Sequence, residues 1–243
     1  MYNKVSVGED KALLAFKPFT AAIANSGLLP SAKGNKYNED SLLGSLYDIN
    51  NQDHSKEMYK ARQKVVDFII ICYDFVEQNY PDAFNKEKYF IVSNRGTYAF
   101  ISLIGSFNKF ETEKGNLTKH TITFERFERI KKYLISLLDG LKNIQKEEEE
   151  KLLTLLGAGA DTKWLRFFQT IVNSKHPEYN PIELIDWKER QNEELQTEGR
   201  KVGVEIEKRI KNIVLENIKV LFNENWDLEI NSIKRECQTR AEQ

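Results

Sequence analysis

Cysteine, histidine, proline and glycine are all scarce in this chain of 243 residues, and each scarcity removes a class of explanation. The two cysteines, Cys72 and Cys237, lie far apart and without partners at ligand spacing, so neither a disulfide framework nor a zinc site is indicated. The three histidines, His54, His120 and His176, each fall in a polar segment and supply no paired metal ligands. With 12 Gly and 5 Pro against 40 % apolar and 30 % charged residues, the composition is ordinary globular material rather than fibrous or disordered. Long apolar runs are missing too. The greasiest stretch, "VVDFIIICYDFV", is too short and interrupted to span a bilayer, and "MYNKVSVGEDKALL" lacks the pattern of a secretory leader. A non-secreted, cytoplasmic protein without a membrane partner is expected. Charge of one sign is also lacking. The 36 basic and 37 acidic side chains nearly cancel, which removes the broad cationic footprint of a dedicated nucleic-acid binder while leaving room for a local basic face.

What the sequence does have is helical periodicity. Residues 11 to 29 form apolar clusters that end near Asn25, before Gly27, Pro30 and Gly34 turn the chain. From about Ser55 to Asn79, Met58, Ala61, Val65, Phe68, Ile69, Cys72, Phe75 and Val76 recur at the helical period, and Pro81 marks the end. Val66, Ile70, Ile71 and Tyr73 add apolar surface to the other sides, so this segment is the expected central helix. Phe90, Ile91 and Val92 suit a short strand or a tight connection, after which Ser93 or Thr97 can cap a helix bearing Phe100, Ile101, Ile104 and Phe107. A further stripe runs from Thr121 to about Glu147 and ends in the charged "KNIQKEEEEK". Asn180, Pro181 and Glu183 give a helix-start signal, with Asn as cap, Pro at the first position and Glu at the third. From Leu195 to Phe222 a long stripe contains Val202, Ile206, Ile210, Ile213, Val214 and Leu221; Trp226, Leu228 and Ile230 then suit a chain folding back before a last short helix from Ile233. The expected fold is all-α, an irregular bundle of about eight helices around a buried central one, with a minor strand allowed near 89–92. It reads as one domain over 1–243, with sub-layers 1–150 and 160–243 joined by a glycine-containing hinge at 155–162.

That hinge, in "LLGAGADTKWLRFF", is the nearest approach to a chemical motif. A phosphate loop requires G-x-x-x-x-G-K-[ST] after a strand, and a dinucleotide fingerprint requires a third glycine where Thr162 stands. The spacing fits neither. Gly157 or Gly159 is expected to end one helix in a left-handed conformation while Asp161 or Thr162 caps the next; the alternative is an anion site formed by Gly157, Gly159 and Lys163. No Arg precedes a His at the short helical spacing of HEPN-type ribonucleases, the nearest approach being Arg166 to His176. The acidic run Glu147 to Glu150 points all round a helix rather than converging on a metal. Basic clusters remain: Arg126, Arg129, Lys131 and Lys132; Lys208, Arg209 and Lys211; Lys234, Arg235 and Arg240. In the first, Glu125 with Arg129 and Glu128 with Lys132 sit four apart and can simply strengthen a helix surface. No catalytic residues, metal site or cofactor can be assigned.

Taken together, "NYPDAFNKEKYFIVSNRGTYAFISLIGSF", "VNSKHPEYNPIELIDW" and the closing "NWDLEINSIKRECQTRAEQ" resemble the helical region that follows the motif-bearing domain of bacterial DGQHR-domain proteins. The resemblance covers about residues 10 to 243 and rests on spaced apolar and aromatic positions. The D-G-Q-H-R motif is absent, so none of that family's motif residues transfers. The resemblance implies a DNA-linked or complex-forming role in DNA modification or phage defence, with DNA or a protein carrying the missing domain as partner. The leading expectation is therefore a non-catalytic, all-α DNA- or partner-binding protein, with Arg95, Arg126, Arg129, Lys208 and Arg209 as phosphate contacts. For Arg95, which sits beside Gly96, a capping or salt-bridge role is the equal alternative. A nuclease or nucleotide-handling enzyme built from scattered acidic residues, and a structural subunit of an assembly, are the competing readings.

Overall fold

The computed structural model describes residues 16–33, 36–37, 42–84, 91–157, 159–225, 227–228 and 231–235. The fold is all-α. The sequence gives α1 (Phe16–Asn25), α2 (His54–Asn79), α3 (Asn94–Glu113), α4 (Thr123–Lys142), α5 (Lys146–Thr154), α6 (Ala160–Lys175), α7 (Ile182–Gln191) and α8 (Glu193–Phe222). A two-residue antiparallel ladder, Ala32–Lys33 with Lys36–Tyr37, is the one sheet among the described residues. Ile91 and Val92 lie in a turn, not the strand allowed for 89–92; Tyr89 and Phe90 fall outside the described residues. Thr97 Oγ1 donates to the Ile91 carbonyl at 2.9 Å, which fastens that turn to the first turn of α3.

Helix starts follow local chemistry. Asp53 caps α2 by accepting from the Lys56 amide at 3.0 Å, and Ser93 caps α3 by accepting from Gly96 N–H at 2.9 Å. Residues 143–145 interrupt the single run expected from 121 to 147. Lys142 closes α4, while Glu147, Glu148 and Glu149 occupy the first turn of α5. Carboxylates stabilise a helix beginning and a Lys stabilises a helix end, so the charge pattern favours two helices over one. α7 begins at Ile182, and the Pro181 carbonyl accepts from Ile185 N–H at 3.2 Å, one residue later than the Asn180 cap predicts.

The chain divides into two compact units, Met1–Ile185 and Asp186–Gln243. The division falls inside α7, and the first unit continues without a break through the glycine loop at 155–162. In that unit the helix at the centre is α3, not α2. α3 packs against α1, α4 and α6, and Thr97, Ala99, Phe100, Ile101, Ser102, Leu103, Ile104 and Phe107 are all buried. α2 is amphipathic by comparison: Ala61, Val65, Phe68, Cys72 and Val76 are buried, whereas Val66 is 44 % exposed. Small residues put α3 in the middle. A Cβ on Gly105 would lie 1.8 Å from the Ser26 carbonyl oxygen, so the chain after α1 can approach this closely only because Gly105 has none.

Aromatic rings fill the space between α3, α4 and the segment after α6. The Phe107 ring stacks on Tyr133 at 5.0 Å and meets Tyr179 edge-on at 4.9 Å. Burial pushes both Tyr133 and Tyr179 phenols well above their ordinary value, and the Tyr133 hydroxyl donates to buried Glu111 at 2.6 Å. Trp164 is buried as a packing anchor, its indole N–H donating to the Leu152 carbonyl at 3.1 Å.

The second unit contains α8. None of its residues is buried, and the described helical residues 231–235 that follow are exposed. Leu228 is 65 % exposed rather than folded back, while Trp226 and Ile230 lie outside the described residues.

Candidate functional site

Within the first unit, Arg95, Arg126 and Arg129 do not converge on one surface. Arg126 is buried within the fold: its Nη1 donates to Asn108 Oδ1, and its Nη2 donates to the Thr118 carbonyl at 2.7 Å and the Thr121 carbonyl at 3.4 Å. Burial pushes this guanidinium down to about 10. It pins the loop before α4 and is not presented to a ligand. Arg95 Nε lies 3.7 Å from Asp161 Oδ1, a salt bridge between the first turns of α3 and α6. Arg129 is exposed but shares a shallow depression with Glu125 and Glu128, whose carboxylates oppose a phosphate. Lys208 and Arg209 are exposed on α8 in the other unit, next in sequence to Glu205 and Glu207.

The glycine loop has the geometry of a hinge. Gly157 and Gly159 both adopt positive φ, +83° and +89°, and Gly159 precedes the first residue of α6. Asp161 and Thr162 lie inside the helix rather than capping it. The Lys163 amide is already helical, donating to Gly159 O at 3.0 Å. Asp161 places a carboxylate in the first turn of α6, where an incoming anion would sit. The set Gly157, Gly159 and Lys163 is therefore not organised around an anion.

Within the first unit, a cleft of about 540 Å³ opens between the end of α1, α3, α6 and the start of α7. Its floor is a connected polar network. Ser106 Oγ and Tyr179 OH are 2.8 Å apart, Gln169 Nε2 donates to both at 3.3 Å, and Arg166 Nη1 donates to Gln169 Oε1 at 2.5 Å. Lys109, Arg166, Glu113 and Glu183 set two positive against two negative charges around the cleft. Ser106 faces a tyrosine with a raised pKa and an amide, neither of which is a base that could activate its hydroxyl. Sequence reasoning missed this cleft because its groups come from distant segments with no fixed spacing.

Among the described residues no group of His, Cys, Asp and Glu side chains is placed to hold a metal ion, and no helix is long and apolar enough to cross a membrane. His176 is tied into the fold, with Nε2 2.9 Å from Ser136 Oγ and its ring edge-on to Tyr133. His54 meets Tyr47 OH at 2.8 Å.

Among the described residues, α8 carries more exposed large apolar side chains than any other helix. Ten large apolar side chains of this 30-residue helix are exposed, Ile206, Ile210, Ile213, Val220 and Leu221 each by more than half. Its six acidic and six basic residues cancel. The described residues define an all-α protein in which α8 is an amphipathic helix with its apolar side chains exposed. Comparison with protein-family models, curated proteins and solved structures finds no match to the chain.

Proposed function

We propose that this chain is a non-catalytic helical binding protein that works by assembling with protein, rather than by gripping DNA directly. The observation that carries the reading is the uncovered apolar face of α8. A helix with none of its residues buried is marginal in water, because most helical stability in proteins comes from burying an amphipathic face. Gly199 and Gly203 lie within the helix with nothing near their Cα positions, and each costs about 1 kcal/mol relative to Ala. Such a helix gains its stability from what covers it. The balanced charges of α8 and the carboxylates beside Arg129 argue against a surface built for phosphate. The DGQHR-like resemblance supports a complex-forming role and suggests a bacterial DNA-modification or phage-defence setting.

Fluorescence anisotropy with labelled duplex DNA at low and high salt tests the choice between protein and DNA. Phosphate contacts release counterions, so genuine DNA binding weakens steeply with salt. The expected result is no binding at low salt. Tight, salt-sensitive binding that is lost in an Arg129→Ala, Lys208→Ala, Arg209→Ala variant overturns the reading and restores the DNA one.

A further inference from the structure

The apolar stripe of α8 follows a repeating interval. Leu195, Gly199, Val202 and Ile206 are spaced four, three and four residues apart; Ile206, Ile210, Ile213 and Asn217 repeat that spacing, and Val220 continues the line. An eleven-residue repeat of this kind, about 3.67 residues per turn, keeps an apolar seam on one side of a helix, its slow drift taken up by a shallow right-handed supercoil. The seam is in solvent, its large apolar members being at least 48 % exposed. Leu215 and Ile218, away from the seam, are half-buried. Val204, Val214 and Phe222, off the seam, are exposed as well, so the seam is set apart by its regularity; it runs nearly the whole of a 30-residue helix that is about 45 Å long.

We infer that α8 pairs with α8 of a second copy, parallel and in register. The inference rests on the reading of α8 as a protein-binding helix and identifies the partner. A one-sided seam of this length matches another long helix better than a rounded surface, and a second copy supplies one with the same repeat. Asn217 fixes the register. It is the one polar side chain on the seam, its Nδ2 now donating to the Ile213 carbonyl at 2.8 Å. In a parallel, in-register pair it meets its own twin, where two amides can bond to each other; any shift sets it against an apolar residue, a known means of specifying pairing. Charge selects the direction. One flank of the seam carries Glu194, Glu198, Glu205 and Glu216, relieved only by Arg209. An antiparallel pair would lay that flank against itself. A parallel pair lays it against the other flank, which carries Gln196, Arg200, Glu207 and Val214.

Sedimentation velocity of the full chain over a wide concentration range tests the pairing. A reversible monomer–dimer equilibrium is expected. Ile206→Glu with Ile213→Glu weakens it by at least about a hundredfold, because each carboxylate would be buried beside its twin without a counter-charge. Val204→Glu, on the opposite face, leaves it unchanged, and circular dichroism confirms that both variants remain helical. In a Cys237→Ser background, Leu195→Cys forms an intermolecular disulfide on mild oxidation only if the two N-terminal ends of α8 lie together. A monomer at every concentration, or a dimer indifferent to the seam substitutions, overturns self-pairing. A dimer that never cross-links at Leu195→Cys overturns the parallel register. Monomers whose α8 amides resist hydrogen exchange would show the helix covered by its own chain, again against pairing. The DNA titration is independent of all of these, so the two readings can fail separately.

Discussion

At the scale of single residues, the fold gives most of its polar side chains structural tasks. Arg126 is the clearest case. Its guanidinium satisfies Asn108 Oδ1 and two backbone carbonyls, so removing it strands the buried Asn108 acceptor and releases the carbonyls of exposed Thr118 and half-buried Thr121. An unsatisfied buried acceptor costs about 1–3 kcal/mol, and neighbouring losses overlap rather than add in full. Arg126→Met should therefore lower unfolding stability by about 3 kcal/mol, read from the urea midpoint at unchanged slope. Arg129→Ala, three residues on and exposed, should stay within about 0.5 kcal/mol of the parent. Equal effects of the two substitutions would mean that Arg126 is not the keystone of the loop before α4. In the sequence the two arginines are indistinguishable, since both sit in "FERFERIKK" with acidic neighbours. Only the arrival of Asn108 from α3 separates a buried strut from a solvated charge.

At the scale of elements, close approach and periodicity carry different information. The end of α1 and the bounds of α2 and α8 are legible in the sequence because the apolar period, the caps and the breakers are local properties. The central helix is not, because centrality depends on how near other helices can come. α2 has the longer apolar inventory, yet α3 is the more enclosed, through Gly96, Ala99 and Gly105. The cleft is illegible for a related reason: Ser106 and Gln169 meet across 63 positions of sequence. The stripe of α8 is legible as a stripe, but period alone says which side is apolar and not what covers it. The closeness of α3 to the chain after α1 can be tested. Gly105→Ala would drive a Cβ into the Ser26 carbonyl, which is backbone and cannot step aside, and should cost at least about 2 kcal/mol. Gly140→Ala meets the Ile171 side chain, its Cγ2 methyl at 2.2 Å; χ1 of this β-branched residue is stiff in a helix, but a side chain can still give way where a backbone carbonyl cannot. It should cost clearly less, and a thermal midpoint for Gly140→Ala as low as that for Gly105→Ala would contradict the distinction.

At the scale of the whole molecule, the first unit is a cooperative body whose polar groups were buried in one protonation state. Tyr73, Tyr133 and Tyr179 are all buried, and burial holds each phenol above its ordinary value of 10.0. Folded and unfolded chains therefore bind the same number of phenolic protons below about pH 10 and different numbers above it. The unfolded chain releases its protons first. With fewer protons on the unfolded side, stability falls as pH rises, so the contribution of these tyrosines is complete below about pH 10 and is lost progressively above it. Ionisation of a phenol open to water has no such consequence for the fold. A spectrophotometric titration followed together with far-ultraviolet circular dichroism should accordingly show two phases. A first rise in phenolate absorbance leaves the helical signal intact, and a second, steep and simultaneous with loss of helix, reports the three buried rings. If all the tyrosines titrate in the first phase while the helices persist, the aromatic cluster around Phe107 is open to water and the enclosed core described for α3, α4 and α6 is wrong.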